Sequence, residues 1–252
     1  YILFFITIQP PLGLVTGGNG HQKQLTFIDK SVSGVTFGVK VGFKRFIKNI
    51  LNIRSIPVEP EKLRTAVKKA YTEVAQEPTR NHPFPVGRTL AENIGYPTEL
   101  LDRLPNSAIA SFTGVTNISV FADIPDGSTV LDVGCGTGLD SLVAAEQTGS
   151  HGRVIGIDFS YPMLTTAQTA SRSNRKNIDY LCADAEKLPL GDNSVDVIIV
   201  NGIFNLNPFR GAIFQELSRV IKRTGTLYIA ELIKKKVDKK GRTVFELKNW
   251  FT

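Results

Sequence analysis

The chain has 252 residues, 42% hydrophobic and 21% charged, which suits one folded domain with an extension, or two small domains, and allows a core without staples. Its two cysteines, Cys135 and Cys182, exclude a disulfide framework or a four-ligand zinc site built from them, and such sparing use fits a reducing cytoplasm. The net charge of +7 belongs to the ends: residues 1–70 hold 11 Lys/Arg against 3 Asp/Glu and residues 233–252 hold 7 against 2, whereas 71–232 hold 12 against 18, a mildly acidic middle that argues against a nucleic-acid groove there.

The chain opens on Tyr1, not Met, with YILFFITIQPP. This apolar run is far shorter than the ~20 residues of a membrane span and lacks the basic leader of a signal peptide, so a fragment of a longer chain is expected at this end. Residues 1–36 are rich in Gly and Pro and aperiodic; they read as loop, with room for a short strand. In 37–54, Phe43, Phe46, Ile47, Ile50 and Leu51 recur at the spacing of one helical face, with Lys44, Arg45 and Lys48 off it. Such a basic helix suits packing on a neighbouring domain or weak contact with an anionic membrane, and the sequence leaves both open.

SIPVEP (55–60) is a linker. A helix is expected over 61–75, with Leu63, Val67, Ala70 and Tyr71 along one side. NHPFPVG (81–87) carries two prolines and cannot be a helix interior. Short helices follow at 89–94 and 97–104, and SFTGVTN (111–117) reads as a loop. From Thr129 strands and helices alternate: TVLDV (129–133), RVIGID (153–158), IDYLCA (178–183), VDVIIV (195–200) and TLYIAEL (226–232), with the clearest helix over 211–222. Short apolar strands separated by helices imply a parallel sheet covered on both faces, and right-handed crossovers make it an α/β, doubly wound, Rossmann-like sheet binding ligands at the carboxyl ends of its strands.

The first of these strands runs into VLDVGCGTGLDS (130–141). Gly134, Gly136 and Gly138 let the backbone turn sharply and approach a ligand, and the following helix points its N-terminus at the same place. The second strand ends in Asp158, 20 residues beyond Gly138, where an acid accepts hydrogen bonds from ribose hydroxyls. The dinucleotide fingerprint is G-x-G-x-x-G; here the spacing is G-x-G-x-G, with Leu139 where the third dinucleotide glycine would stand. Asp132 lies inside the turn, where a carboxylate repels a pyrophosphate and suits an ammonium. S-adenosyl-L-methionine carries an ammonium, a carboxylate, a sulfonium and one ribose, and no phosphate.

This run resembles motif I of the class I S-adenosylmethionine-dependent methyltransferases, and later segments follow that family in order. The resemblance implies roles for GIDFSYPML (Asp158 on the ribose, Met163 beside the adenine), ADAEKLPL (Asp184 towards the adenine amino group, Ala185 by its backbone) and VDVIIVNGIFNLNP (Asn201 facing the cofactor). LSRVIKRTG resembles the family's R-V-L-K-P-G-G block, with Arg223 and Thr224 replacing its Pro and first Gly. LRTAVKKAYTEVA, GYPTELLDRLP, SFTGVTN and NGIFNLNP narrow the resemblance to the arsenite methyltransferase-like group, which places Tyr71 and the 111–117 loop over the methionine end. The organisation implied is an N-terminal extension over 1–59, a helical substrate-side segment over 60–122 and a cofactor domain over 123–252.

That group resembles itself in holding arsenic on cysteine thiolates, soft ligands for a soft element. Here its cysteine-bearing segments read TGVTN and NGIFN, with no cysteine. A small-molecule acceptor is expected, with arsenite and a quinone-type or other carbon or oxygen nucleophile both open; a nicotinamide oxidoreductase and a cofactor-binding, non-catalytic homologue are the rival readings. His82 is the one histidine near the expected substrate side and the candidate base; no metal site is expected. The lysine run over 234–240 reads as solvated surface. The family carries two further strands after the fifth, so the sheet is expected to be truncated, with an apolar edge (Leu227, Ile229, Leu232) that a continuing chain would cover.

Overall fold

A computed structural model describes residues 2–9, 24–29, 59–174, 177–237 and 243–247. The expected basic helix over 37–54 lies outside them. The chain begins with β1 (Ile2–Gln9) and β2 (Gln24–Asp29), then forms α1 (Pro60–Gln76), α2 (Gly87–Asn93), α3 (Thr98–Arg103), α4 (Asn106–Ala110) and α5 (Ile118–Phe121). The alternating part follows as β3 (Thr129–Val133), α6 (Leu139–Thr148), β4 (Arg153–Asp158), α7 (Tyr161–Asn174), β5 (Ile178–Cys182) and β6 (Val195–Asn201). After a 3-10 turn (Phe204–Leu206) come α8 (Arg210–Val220), β7 (Ile221–Val237) and β8 (Thr243–Leu247).

Strands β5, β4, β3, β6 and β7 lie side by side and parallel, in that order. The chain moves outward from β3 through β4 to β5 and then returns to β6 on the other side of β3. That reversal opens a crevice at the carboxyl ends of β3 and β6, the usual ligand position of a doubly wound sheet.

Period-two alternation explains why both faces are covered. Leu131, Val133, Ile198, Val200, Leu227 and Ile229 face one way and bury against Ile213, Phe214, Leu217 and Val220 of α8. Their neighbours Val130, Val197, Ile199 and Ala230 face the other way, against Ile118 of α5 and Ala144 and Ala145 of α6. The small residues of α6 let that helix lie close to the sheet.

Two strand expectations change. The fifth parallel strand is much longer than 226–232: it starts at Ile221, with a register irregularity opposite Val195/Val197, and runs through Lys234–Lys236, which pair with β8. Its outer edge is also not open. β1, drawn from a segment read mostly as loop, pairs with it antiparallel from Ile2↔Ile233 to Ile8↔Leu227, and β2 pairs with β1. An apolar edge strand presents a row of unpaired N–H and C=O groups, and the apolar run at the start of the chain satisfies them. The glycine- and proline-rich stretch after β1 hid a strand whose partner lies more than two hundred residues away.

Among the described residues no helix is long and apolar enough to cross a membrane.

Candidate functional site

At the carboxyl ends of the strands lies an open cleft of about 1040 Å³, a figure that includes its solvent-filled mouth. Its floor is the loop after β3. Gly134 and Cys135 donate their N–H groups to the Ile157 carbonyl at 2.7 and 3.0 Å, which folds the loop onto β4. Gly136 has φ +53°, and a methyl group built on it meets nothing within 4 Å, so it borders the open space of the cleft. Its two companions are small for other reasons: a methyl on Gly134 would run into Ile203 and one on Gly138 into Tyr180. Gly138 is the left-handed residue that starts α6 and stands behind the cleft wall.

Asp158 closes the far side of this floor. One carboxylate oxygen accepts the Gly136 N–H at 2.9 Å and the other the Ser160 N–H at 2.8 Å, which aims the group along the cleft. Burial pushes its pKa from the ordinary 3.8 up to about 6, against the pull of those N–H groups.

Asp140, in the first turn of α6, also lines the cleft, and sequence reasoning missed it. Tyr96 and Ser119 donate their hydroxyls to its Oδ1, and Asn201 Nδ2 donates to its Oδ2 at 2.8 Å. Asn201 in turn accepts the Val115 and Thr116 N–H groups at 2.9 and 3.3 Å and donates to the Thr116 carbonyl at 2.9 Å. Acid and amide together pin the 111–117 loop over the crevice. Gly114 is required there, because a side chain would strike Phe112 and Asn201. A signal was present: an acid two residues past the last loop glycine sits in a helix first turn, where the dipole favours it.

Of the residues nominated from sequence, Tyr71, Gly134, Gly136, Asp158, Asp184, Ala185 and Asn201 come together on the cleft wall. Tyr71 stacks on Phe84 (centroids 5.5 Å apart), is hydrogen-bonded to Thr113, and has its pKa raised by burial. Asp132 does not reach the wall. It is 2% exposed, and Ser141 Oγ donates to it at 2.6 Å, because strand alternation turns it towards α6 rather than the crevice. Met163 is also a correction: it is buried on the inner face of α7 with Val74 and Phe84, off the cleft wall. His82 lies outside the cleft, its Nε2 2.9 Å from the Glu77 carbonyl oxygen in the loop after α1, because the two prolines around it fold that loop away. His82→Ala is therefore expected to leave turnover within about twofold of wild type, as for a surface change, and steady-state kinetics check it.

Sequence reasoning also missed Arg64 and the stretch from Ile203 to Pro208, all but two of whose residues line the cleft. Nothing local marks Arg64, whose partners Asp184 and Glu186 are about 120 residues away.

Three buried carboxylates, Asp132, Asp140 and Asp158, thus surround one glycine loop, and none is in an ion pair among the described residues. Burial raises the pKa of each, and for Asp132 the charge of Asp140 adds to it. Burial also pushes the Cys135 thiol well up, helped by Asp132 and Asp158. The linkage is testable. A carboxyl ionising at about 6 when folded and 3.8 when unfolded supports the fold while protonated, and that support is lost as pH rises from about 4 to 6, by on the order of 3 kcal/mol. The stability of ligand-free Asp158→Asn relative to wild type should accordingly improve from pH 4 to 7. A difference that stays flat in denaturant titrations at those pH values would remove the burial penalty from Asp158.

Fold and cleft define a class: a doubly wound α/β sheet with a glycine loop after its first parallel strand and an acid ending the second. The chain belongs to the methyltransferase domain family, whose model matches residues 124–251. It is 31% identical over 144 residues to an arsenite methyltransferase of Halobacterium salinarum, a match covering 57% of this chain and 37% of the relative. It is 35% identical over 111 residues to a demethylmenaquinone methyltransferase of Shouchella clausii, covering 43% and 47%. The crystal structure of an arsenic(III) S-adenosylmethionine methyltransferase from Chlamydomonas reinhardtii aligns with a TM-score of 0.47 at 25% identity, over 63% of this chain and 52% of that one. The chain spans about a third to a half of the length of the curated relatives it matches.

Proposed function

We propose that this cleft binds S-adenosyl-L-methionine and that the chain transfers its methyl group to a small-molecule acceptor. The observation that carries the reading is the charge of the floor: two buried carboxylates on the cleft wall beside a glycine loop, Asp140 and Asp158, neither in an ion pair among the described residues. Such a floor repels the pyrophosphate of a nicotinamide dinucleotide. It complements a ligand carrying an ammonium, a carboxylate and a sulfonium, whose net positive charge would relieve the desolvation cost of the acids.

The residues present fit that group. Gly136 borders open space where a nucleoside would lie, Asp158 has a carboxylate on the cleft wall suited to ribose hydroxyls, and Asp184 and Ala185 line the same cleft, where the family resemblance gives them the adenine edge. Tyr71, Asn201 and the pinned 111–117 loop form the remaining wall. The cofactor supplies an electrophilic methyl carbon when bound. The chain's own part is alignment of the acceptor and exclusion of water, tasks suited to a loop fixed by Asn201 and Asp140.

A specific observation favours a carbon or oxygen acceptor over arsenite. Of the two cysteines only Cys135 lines the cleft, and burial keeps its thiol protonated, while Cys182 is exposed. These 252 residues offer no thiolate pair to a soft element.

Isothermal calorimetry with S-adenosylmethionine and NAD tests the cofactor; binding of NAD without S-adenosylmethionine would overturn the reading. Methyl transfer by the full chain to a panel of phenols and quinols, beside arsenite with thiol, tests the acceptor. Turnover of arsenite alone would reverse the preference, and cofactor binding with no turnover of any acceptor would favour the non-catalytic homologue.

A further inference from the structure

Among the described residues Arg64 is the one cation on the cleft wall, which otherwise carries the carboxylates Asp140, Asp158 and Asp184. It rises from the second turn of α1, on the same helical face as Val67 and Tyr71, which line the cleft with it. One guanidinium nitrogen lies 2.5 Å from Asp184 Oδ1 and another 3.1 Å from Glu186 Oε2. Asn207 donates its side-chain amide to the same Glu186. Three separate wall segments, α1, the stretch after β5 and the stretch after the 3-10 turn, are therefore tied together across the mouth of the cleft.

Both halves of α1 bury apolar side chains, and the N-terminal half has a polar fastening as well. The C-terminal half is anchored by burial: Val74 packs with Phe84 and Met163, and Ser111 Oγ donates to the Val74 carbonyl at 3.0 Å. The N-terminal half carries Leu63 and Val67 inward and is fastened over the cleft by the Arg64 fork. That fork is partly in water, with side chains 29% (Arg64), 49% (Asp184) and 14% (Glu186) exposed, so its Asp184 prong is the more open one. Ion pairs of that exposure stabilise weakly and yield to salt, whereas the apolar anchor does not. The N-terminal half thus has, beside its apolar contacts, a fastening that salt can loosen, and Tyr71 lies between that fork and Val74.

We propose that Arg64 is a positioning residue for the cofactor: its clasp on Asp184 and Glu186 holds the N-terminal half of α1 over the cleft, keeps Tyr71 against the 111–117 loop, and opens for the cofactor to enter and leave. This rests on the S-adenosylmethionine reading of the cleft. Neutralising Asp184 with an internal arginine also settles which carboxylates remain to attract the cofactor: Asp140 and Asp158, deep on the floor, rather than the acid at the mouth.

Stopped-flow exchange of S-adenosylhomocysteine on the full chain tests it, after calorimetry has established that the wild-type chain binds. Arg64→Gln should raise the association and dissociation rate constants together by about tenfold, with Kd moving less than about threefold, as expected when a gate rather than a contact is removed. Wild-type exchange should quicken as salt rises from about 0.05 to 0.5 M, and the variant's should not. Glu186→Gln, which keeps Arg64 and alters no residue of the cleft wall, should reproduce the effect more weakly, and it carries the test if circular dichroism shows Arg64→Gln misfolded. Faster dissociation with unchanged association would make Arg64 an ordinary ligand contact and overturn the clasp, as would rates unchanged in both variants. Absence of binding by the wild-type chain would overturn the cofactor reading itself, and this inference with it.

Discussion

Asp158→Ala is expected to weaken S-adenosylmethionine binding by about 10- to 150-fold, the ~1.5–3 kcal/mol that hydrogen bonds to a charged group contribute. The loss should not be accompanied by a matching loss of fold. The carboxylate is buried without a counter-ion, so at neutral pH the ligand-free protein carries its desolvation penalty, and removing it offsets the two N–H groups left behind at Gly136 and Ser160. Cofactor affinity of the wild type should fall in the same sense as pH drops through about 6, where the group takes up a proton and gives up charge and acceptor capacity. Calorimetric titrations of wild type and variant at about pH 5.5 and 7.5 check both statements. Equal affinities at pH 7.5 would take Asp158 out of the site.

Asp140→Ala is expected to produce the largest loss of stability, about 3–5 kcal/mol in urea unfolding. The substitution removes the acceptor shared by three buried donors, the Tyr96 and Ser119 hydroxyls and the Asn201 amide, of which Tyr96 and Asn201 keep only the Thr116 carbonyl. An unsatisfied buried donor costs more than the hydrogen bond it made, and the three act on one loop, so the costs do not simply add. The consequence for function is specific: Asn201 loses the partner that orients it, and with it the grip on Val115 and Thr116. Tyr96→Phe, which removes one donor and leaves the acid its two others, should cost only about 1 kcal/mol. A similar cost for the two variants would show that the network is not centred on Asp140.

Much of the parallel sheet is visible in the sequence because its causes are local. TVLDV and RVIGID are found as strands over 129–133 and 153–158, since each is a short apolar run bounded by turn residues. The helix read over 211–222 occupies Arg210–Val220, its apolar face recurring at helical spacing. The glycine loop and Asp158 are legible for the same reason: one strand, one turn and one helix fix where they stand. Asp132 and Met163 show the limit of reading by position. Both lie in segments that do border the cleft, yet strand alternation turns the first towards Ser141 and helix periodicity turns the second into the core.

The sequence by itself determined a doubly wound sheet, a glycine loop spaced against a dinucleotide and an acid at the end of the second strand. Each depends on residues within a few turns of one another, where backbone geometry leaves little choice. Tertiary structure alone decided that β1 covers the edge of β7, that Asp140 and Asn201 pin the 111–117 loop, and that Arg64 reaches Asp184 and Glu186. Those contacts join parts of the chain between 60 and more than 200 residues apart, and no periodicity or spacing encodes them. They form because a buried polar group or an open strand edge takes whichever partner the packed layers bring within hydrogen-bonding distance.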